Sequence, residues 1–233
     1  MSLFCLVHGS TQNAAGGHLL VPALESYGHR IVRAVLPNNE PEADTRRYAN
    51  AVIACIPAKA EDVLLVGHSA SGYFLPLVAA QRPLQRIIFL AAMLTQIGKS
   101  FLDQLRSDPS ILNPEWNGKD PSRDDAAAMH FLFHDCSPDV AKWALTTRIR
   151  LPLETIASEV YALEQWPDVA SSCIVSSEDR TINPEWSRRV ARERLGVDAI
   201  EHEAGHCPHV SQPKRLAEIL SDLSLIPKSS SPE

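Results

Sequence analysis

No excess of basic residues, no paired-cysteine motif and no long apolar run occurs in the 233 residues of this chain. Lys and Arg total 22 against 28 Asp and Glu, for a formal net charge of −6. A surface of that sign opposes polyphosphate binding, so nucleic acid is not an expected partner. The basic pairs Arg46-Arg47 and Arg188-Arg189 read as solvated helix faces. No apolar run is long enough to span a bilayer, which speaks against a membrane partner. No basic leader with an apolar core precedes the first strand-like run, so no signal peptide is expected. The five cysteines, Cys5, Cys55, Cys136, Cys173 and Cys207, are odd in number, far apart and without CxxC spacing. That pattern predicts reduced thiols in a cytoplasmic protein. With 45% hydrophobic content the chain can build one substantial core, and nothing marks a second independent domain.

Six short apolar runs predict strands: Leu3–Val7, Arg30–Leu36, Val63–Val66, Arg86–Ala91, Ser172–Ser176 and Asp198–His202. Helix-like segments separate most of them, at about Leu19–Tyr27, about Thr45–Ile56 behind an Asp44 cap, Pro184 to Gly196 behind an Asn183 cap, and about Pro213–Leu223. Strands alternating with helices predict the α/β class, a mostly parallel sheet of about six strands with helices on both faces. The repeat breaks after Met93. Residues 95–170 hold no convincing strand but many of the aromatics, among them Phe101, Trp116, Phe131, Phe133, Trp143, Tyr161 and Trp166. This stretch is expected to form a helical lid over the carboxyl ends of the strands, on a core made of residues 1–94 and 171–226. The tail 227–233 (PKSSSPE) is expected to be disordered.

The most informative stretch is Asp62–Gly72, DVLLVGHSASG. A strand-like run meets Gly67-His68-Ser69-Ala70-Ser71 and then another apolar segment. Strand, small residue, x, Ser, x, small residue, helix is the pattern of a sharp turn that raises a nucleophilic serine above the sheet. Gly67 meets the demand for a small flanking residue fully, and Ser71 only approximately, since glycine is usual there. A serine hydroxyl needs a base, and the base needs an orienting acid. Asp179 follows the fifth strand-like run, with Glu178 as the rival acid, and His206 follows the sixth. Alone, Asp179 would read as a turn carboxylate and His206 as a loop histidine. In the chain order Ser69, Asp179, His206 they form a candidate triad. The oxyanion is expected to rest on the backbone N–H groups of Ala70, directly after the nucleophile, and of Ser10, after the first strand, where Gly9 lets the backbone approach the substrate. Met129, Leu132 and Phe133 of the lid, with Gly9 and Cys207, are the expected substrate contacts. The chemistry needs no metal or organic cofactor. The expected partner is a small-molecule ester, and a homodimer is a candidate assembly.

These motifs carry a resemblance. His8-Gly9, Pro22-Ala23-Leu24-Glu25, Gly28-His29, the Ser69 elbow, Glu178-Asp179-Arg180, and Gly205-His206 with Pro213 stand at the spacing of an α/β-hydrolase. More narrowly, the chain resembles the plant methyl-esterase and hydroxynitrile-lyase group and its bacterial esterase relatives. The resemblance covers nearly the whole chain and is strongest outside the lid. It implies six parallel strands with the first and third adjacent near the centre, the triad Ser69, Asp179 and His206, and oxyanion amides at Ser10 and Ala70. This chain also departs from the group. Plant members carry tryptophans where it has Ala15 and Gly17. Lyase members carry Thr at the position of Gly9 and Lys at that of Cys207. A cyanohydrin needs a cation near the leaving cyanide, so the resemblance implies an esterase rather than a lyase. A serine nucleophile in place of aspartate argues against a dehalogenase.

Two metal patterns and one binding role compete with this reading. His202-Glu203-Ala204-Gly205-His206 matches HExxH, whose zinc chemistry needs both histidines on one helix face. Gly205 inside the motif and Pro208 after it oppose such a helix. His130, His134, Asp135 and Cys136 also cluster in sequence, at the end of an expected lid helix. Some proteins on this fold keep a triad yet act as small-molecule receptors with slow turnover, and rate of turnover on a simple ester separates that role from an enzyme.

Overall fold

The structure is a computed structural model that describes residues 1–160 and 163–226. Tyr161 and the tail 227–233 lie outside the described residues. The elements run β1 (Leu3–Val7), α1 (Leu20–Glu25), β2 (Arg30–Arg33), α2 (Thr45–Cys55), β3 (Val63–His68), α3 (Leu75–Ala79) and β4 (Arg86–Leu90). Then come α4 (Phe101–Ser107), α5 (Asp125–Phe131), α6 (Pro138–Leu145) and α7 (Glu154–Ser158). The chain closes with β5 (Ser171–Ser176), α8 (Pro184–Val190), β6 (Ile200–His202), α9 (Pro208–Ser211) and α10 (Pro213–Leu225). All six predicted strands form, in one sheet of order β2-β1-β3-β4-β5-β6. Every neighbouring pair is parallel.

Strand alternation divides the core. Cys5 and Val7 of β1, Leu65 of β3, Phe89 of β4 and Val175 of β5 face one side, against α2, α3 and α8. Phe4, Leu64, Ile88 and Ile174 face the other side, against Leu20 and Leu24 of α1 and Leu216, Leu220 and Leu223 of α10. Side chains on successive strand residues point to opposite faces, so runs that are apolar throughout must be buried on both. Local signals fix the helix ends. Asp44 Oδ1 accepts from the Arg47 amide at 2.7 Å, and Asn183 Oδ1 accepts from the Glu185 amide at 3.0 Å with Pro184 leading α8. The helical run that continues α8 ends at Gly196, whose φ of 66° is left-handed.

Between β4 and β5 the described residues contain helices and no strand. This insertion is stitched to the sheet at two places. Ile149 and Leu151 donate to the carbonyls of Thr11 and Ser10, in the loop after β1. Asn113 donates to Thr181, and Asn183 to Ile111, in the loop after β5. β2 and β1 wind one way from the sheet centre, β3 and β4 the other, so the loops after β1 and β3 face each other across the point where the strand order reverses. Ligands of open α/β sheets bind at such a point.

Candidate active site

Ser69 sits at the end of β3 with φ at 55°, a conformation that side chains rarely adopt outside glycine. The surroundings enforce it. A Cβ on Gly67 would lie 2.3 Å from Leu75 Cδ1, and a Cβ on Gly72 would lie 2.2 Å from the Met93 carbonyl oxygen. Gly72, one residue beyond Ser71, is therefore where the turn closes against the segment that follows β4. Ser71 fits because its hydroxyl donates to the His68 carbonyl at 2.8 Å. The Met93 amide donates to the Ser69 carbonyl at 3.0 Å and closes the turn.

Loops after three different strands bring Ser69, Asp179 and His206 together. His206 Nε2 lies 3.0 Å from Ser69 Oγ, and His206 Nδ1 lies 2.8 Å from Asp179 Oδ2. All three are buried. An ionised carboxylate only accepts, so Nδ1 carries the proton and the Nε2 lone pair faces the serine hydroxyl. Asp179 Oδ1 accepts from the Thr181 and Ile182 amides at 2.7 and 3.1 Å, which fixes the carboxylate plane. Glu178, the rival acid, is held through its backbone, its amide donating to the Ala204 carbonyl. The HExxH match dissolves in three dimensions. His202 ends β6, His206 lies in the following loop, and no three metal-ligating side chains converge among the described residues.

A cavity of about 180 Å³ opens above Ser69. The core lines it with Ser10, Ala70, Tyr73, Met93 and Thr181, and the insertion with Phe101, Leu112, Trp116, Leu153, Ile156 and Ala157. Ser10 and Ala70 thus border the space beside the nucleophile, as the oxyanion reading requires. The expected substrate contacts need correction. Met129 is on the outer face of α5 and more than a third exposed. Leu132 and Phe133 are buried with Ala128, Ala141, Cys207 and Val210 in a separate cluster, so they support the base loop and not the cavity wall. Helical spacing explains this: Ala127, Ala128 and Phe131 form the inner face of α5, which turns Met129 outward. Cys207 is wholly buried, and burial pushes its thiol well above the ordinary range. Gly9 does not line the cavity either. A Cβ there would come 2.9 Å from Ser69 Cβ, so glycine serves the close approach of two loops. The wall residues come from seven separated stretches of the chain, and Leu153, Ile156 and Ala157 share a helical spacing, along α7. Phe101 and Trp116 were visible in sequence only as part of an aromatic-rich stretch.

His68 packs against His206, and His209 packs against His68. The His68 ring lies 4.8 Å from that of His206 and 4.6 Å from that of His209. His68 Nε2 donates to the His206 carbonyl at 2.8 Å, and His209 Nε2 meets Gln12 Oε1 at 3.0 Å. Burial, reinforced by the neighbouring histidines, pushes His68 well down and His209 down to about 3. Burial likewise lowers His8. His68 and His209 are neutral when folded but take up protons below about pH 6.5 when unfolded. Stability contributed this way is complete above the unfolded value and is lost as pH falls. Denaturant titrations from pH 7 to 5 are expected to show falling stability, approaching about 1.4 kcal/mol per pH unit for each such histidine. A stability that stays level across that range would contradict a neutral buried cluster.

Residues 6–219 match the model of the alpha/beta hydrolase family. This chain belongs to that family. Polyneuridine aldehyde esterase of Rauvolfia serpentina is 27% identical over 252 aligned positions, covering 95% of each chain. A pyrethroid hydrolase of Sphingobium wenxiniae is 27% identical over 249 positions, covering 95% of this chain and 87% of its own. The crystal structure of polyneuridine aldehyde esterase superposes with a TM-score of 0.80 at 21% identity, over 96% of this chain and 99% of that one. Among these alpha/beta hydrolases the plant esterases named in the expected resemblance are thus similar in both sequence and fold.

Proposed function

We propose that this chain is a serine esterase that hydrolyses a small, largely apolar carboxylic ester through an acyl-enzyme. The observation that carries the reading is the hydrogen-bonded line from Ser69 through His206 to Asp179 at the floor of an apolar cavity. The names of two relatives, polyneuridine aldehyde esterase and a pyrethroid hydrolase, point the same way. Ser69 Oγ attacks the ester carbonyl carbon as His206 Nε2 takes its proton. The oxyanion rests on the Ser10 and Ala70 amides. His206 then returns the proton to the leaving alkoxide, and a water repeats the sequence to free the acid. Asp179 stays ionised and stabilises the imidazolium. The reaction uses no cofactor. Neutral Cys207 offers no cation for a departing cyanide, which supports esterase over lyase chemistry.

The ligand in this reading is the ester, neither nucleic acid nor membrane is a partner, and a homodimer stays the candidate assembly. No helix among the described residues is long and apolar enough to cross a bilayer. A cytoplasmic site of action is part of the proposal.

A panel of methyl and p-nitrophenyl esters of graded acyl length tests the function. Fast turnover of at least one short ester is expected, whereas tight binding with very slow turnover would replace the enzyme by a receptor. In this proposal the insertion acts as a lid that sets substrate choice. Trp116→Ala and Ile156→Ala widen the cavity and are expected to raise the relative kcat/KM of longer esters by about 10-fold, the scale of one or two methylene contacts. An unchanged ranking would take these residues out of specificity.

A further inference from the structure

The sequence cluster at His134-Asp135 joins no group of three metal-ligating side chains among the described residues, yet it touches the site from outside. His134 Nε2 donates to the Glu178 carbonyl at 3.1 Å, one residue before the acid. Asp135 Oδ2 accepts from the Gly205 amide at 2.7 Å, one residue before the base. Two consecutive residues of the insertion thus grip the two loops that must hold Asp179 and His206 in register. The grip is close. A Cβ on Gly205 would lie 2.7 Å from Asp135 Oδ1 and 2.8 Å from His134 Nε2, so only glycine lets the base loop meet this pair. Asp135 Oδ1 is buried without a hydrogen-bond partner, a costly arrangement for a residue that only fills space.

We infer that His134 and Asp135 are positioning residues that clamp the acid and base loops to each other through the insertion. The inference rests on the triad reading of Ser69, Asp179 and His206. The clamp acts on backbone groups, so its loss lets the Asp179–His206 pair drift from the serine without altering the cavity wall. It is expected to lower kcat and to leave KM near the wild-type value. The ligand chemistry does not change, because neither residue borders the cavity.

The test compares four variants with wild type on a p-nitrophenyl ester. Asp135→Ala removes the acceptor for Gly205, and its kcat is expected to fall about 10-fold to 10²-fold, the cost of a misplacement on the order of 1 Å. Asp135→Asn keeps an acceptor oxygen and is expected to restore most of that loss. His134→Ala should lower kcat in the same sense, and His134→Gln, which can still donate to Glu178, should recover it. Thermal unfolding of each variant is measured alongside. The His134 pair decides the matter if Asp135→Ala does not fold, because His134 bonds at the protein surface. Wild-type kcat in both alanine variants overturns the clamp. So does an Asp135→Asn enzyme as slow as Asp135→Ala, which would assign the effect to charge, or a loss confined to KM. Ser69→Ala run in parallel separates the two levels. If it stays active the triad fails, and if it is inert while the alanine variants are unimpaired only the clamp fails.

Discussion

Replacing Ser69 with alanine is expected to leave a folded protein that has lost ester hydrolysis by on the order of 10³-fold or more. The fold should survive because the elbow is held by its neighbours. Gly67 seats against Leu75, Gly72 against the Met93 carbonyl, and the Met93 amide against the Ser69 carbonyl. None of these contacts uses the Ser69 hydroxyl. The position already carries a Cβ at positive φ, so alanine adds no new backbone strain. What disappears is the atom 3.0 Å from His206 Nε2. The residual rate reflects binding and the oxyanion amides alone. Circular dichroism and initial rates on the same preparation check both halves of the expectation, and a folded variant with wild-type turnover would refute the nucleophile assignment.

Asp179→Asn is expected to cost far more than Glu178→Gln. An asparagine can still meet the Thr181 and Ile182 amides through its oxygen, which turns its NH₂ toward His206. That donor favours the tautomer with the proton on Nε2, where the lone pair is needed, and a loss approaching roughly 10⁴-fold follows in triads so altered. The contacts that place Glu178 run through its backbone, to the Ala204 carbonyl and from His134, so Glu178→Gln should leave turnover close to wild type. Steady-state rates of the two purified variants distinguish them. The reverse order would move the acid to Glu178 and leave the 2.8 Å contact between Asp179 and His206 without a catalytic role.

Much of this was legible in the sequence because it depends on local chemistry. Short apolar runs such as Leu3–Val7 and 87–90 read as buried strands, and Asp44 and Asn183 mark helix starts by their own hydrogen bonds. The edge strands were read too long. β2 ends at Arg33 and β6 starts only at Ile200, where a neighbour exists to pair with it. An edge strand is limited by its single partner, which its own residues do not encode. The three triad candidates were legible because each lies within a few residues of a strand end. The cavity wall was not. The stretches that hold Phe101, Trp116 and Ile156 meet through tertiary packing, and no spacing rule links one stretch to another. Met129, Leu132 and Phe133 misled because an apolar lid segment reads the same whether it faces substrate or its own supports. The stretch instead backs the base loop, where His134 and Asp135 were visible only as a failed metal pattern.

The proposed chemistry requires a covalent bond to one oxygen atom, Ser69 Oγ. Rapid acid quench of the protein with a short p-nitrophenyl ester, followed by intact-mass and peptide mass spectrometry, tests it most directly. An adduct of the acyl mass is expected on the peptide that contains Ser69, absent from Ser69→Ala and accumulating in step with a burst of p-nitrophenol. An adduct on Cys207 or another residue, or full turnover with no acylated species at any quench time, would contradict an acyl-enzyme on Ser69.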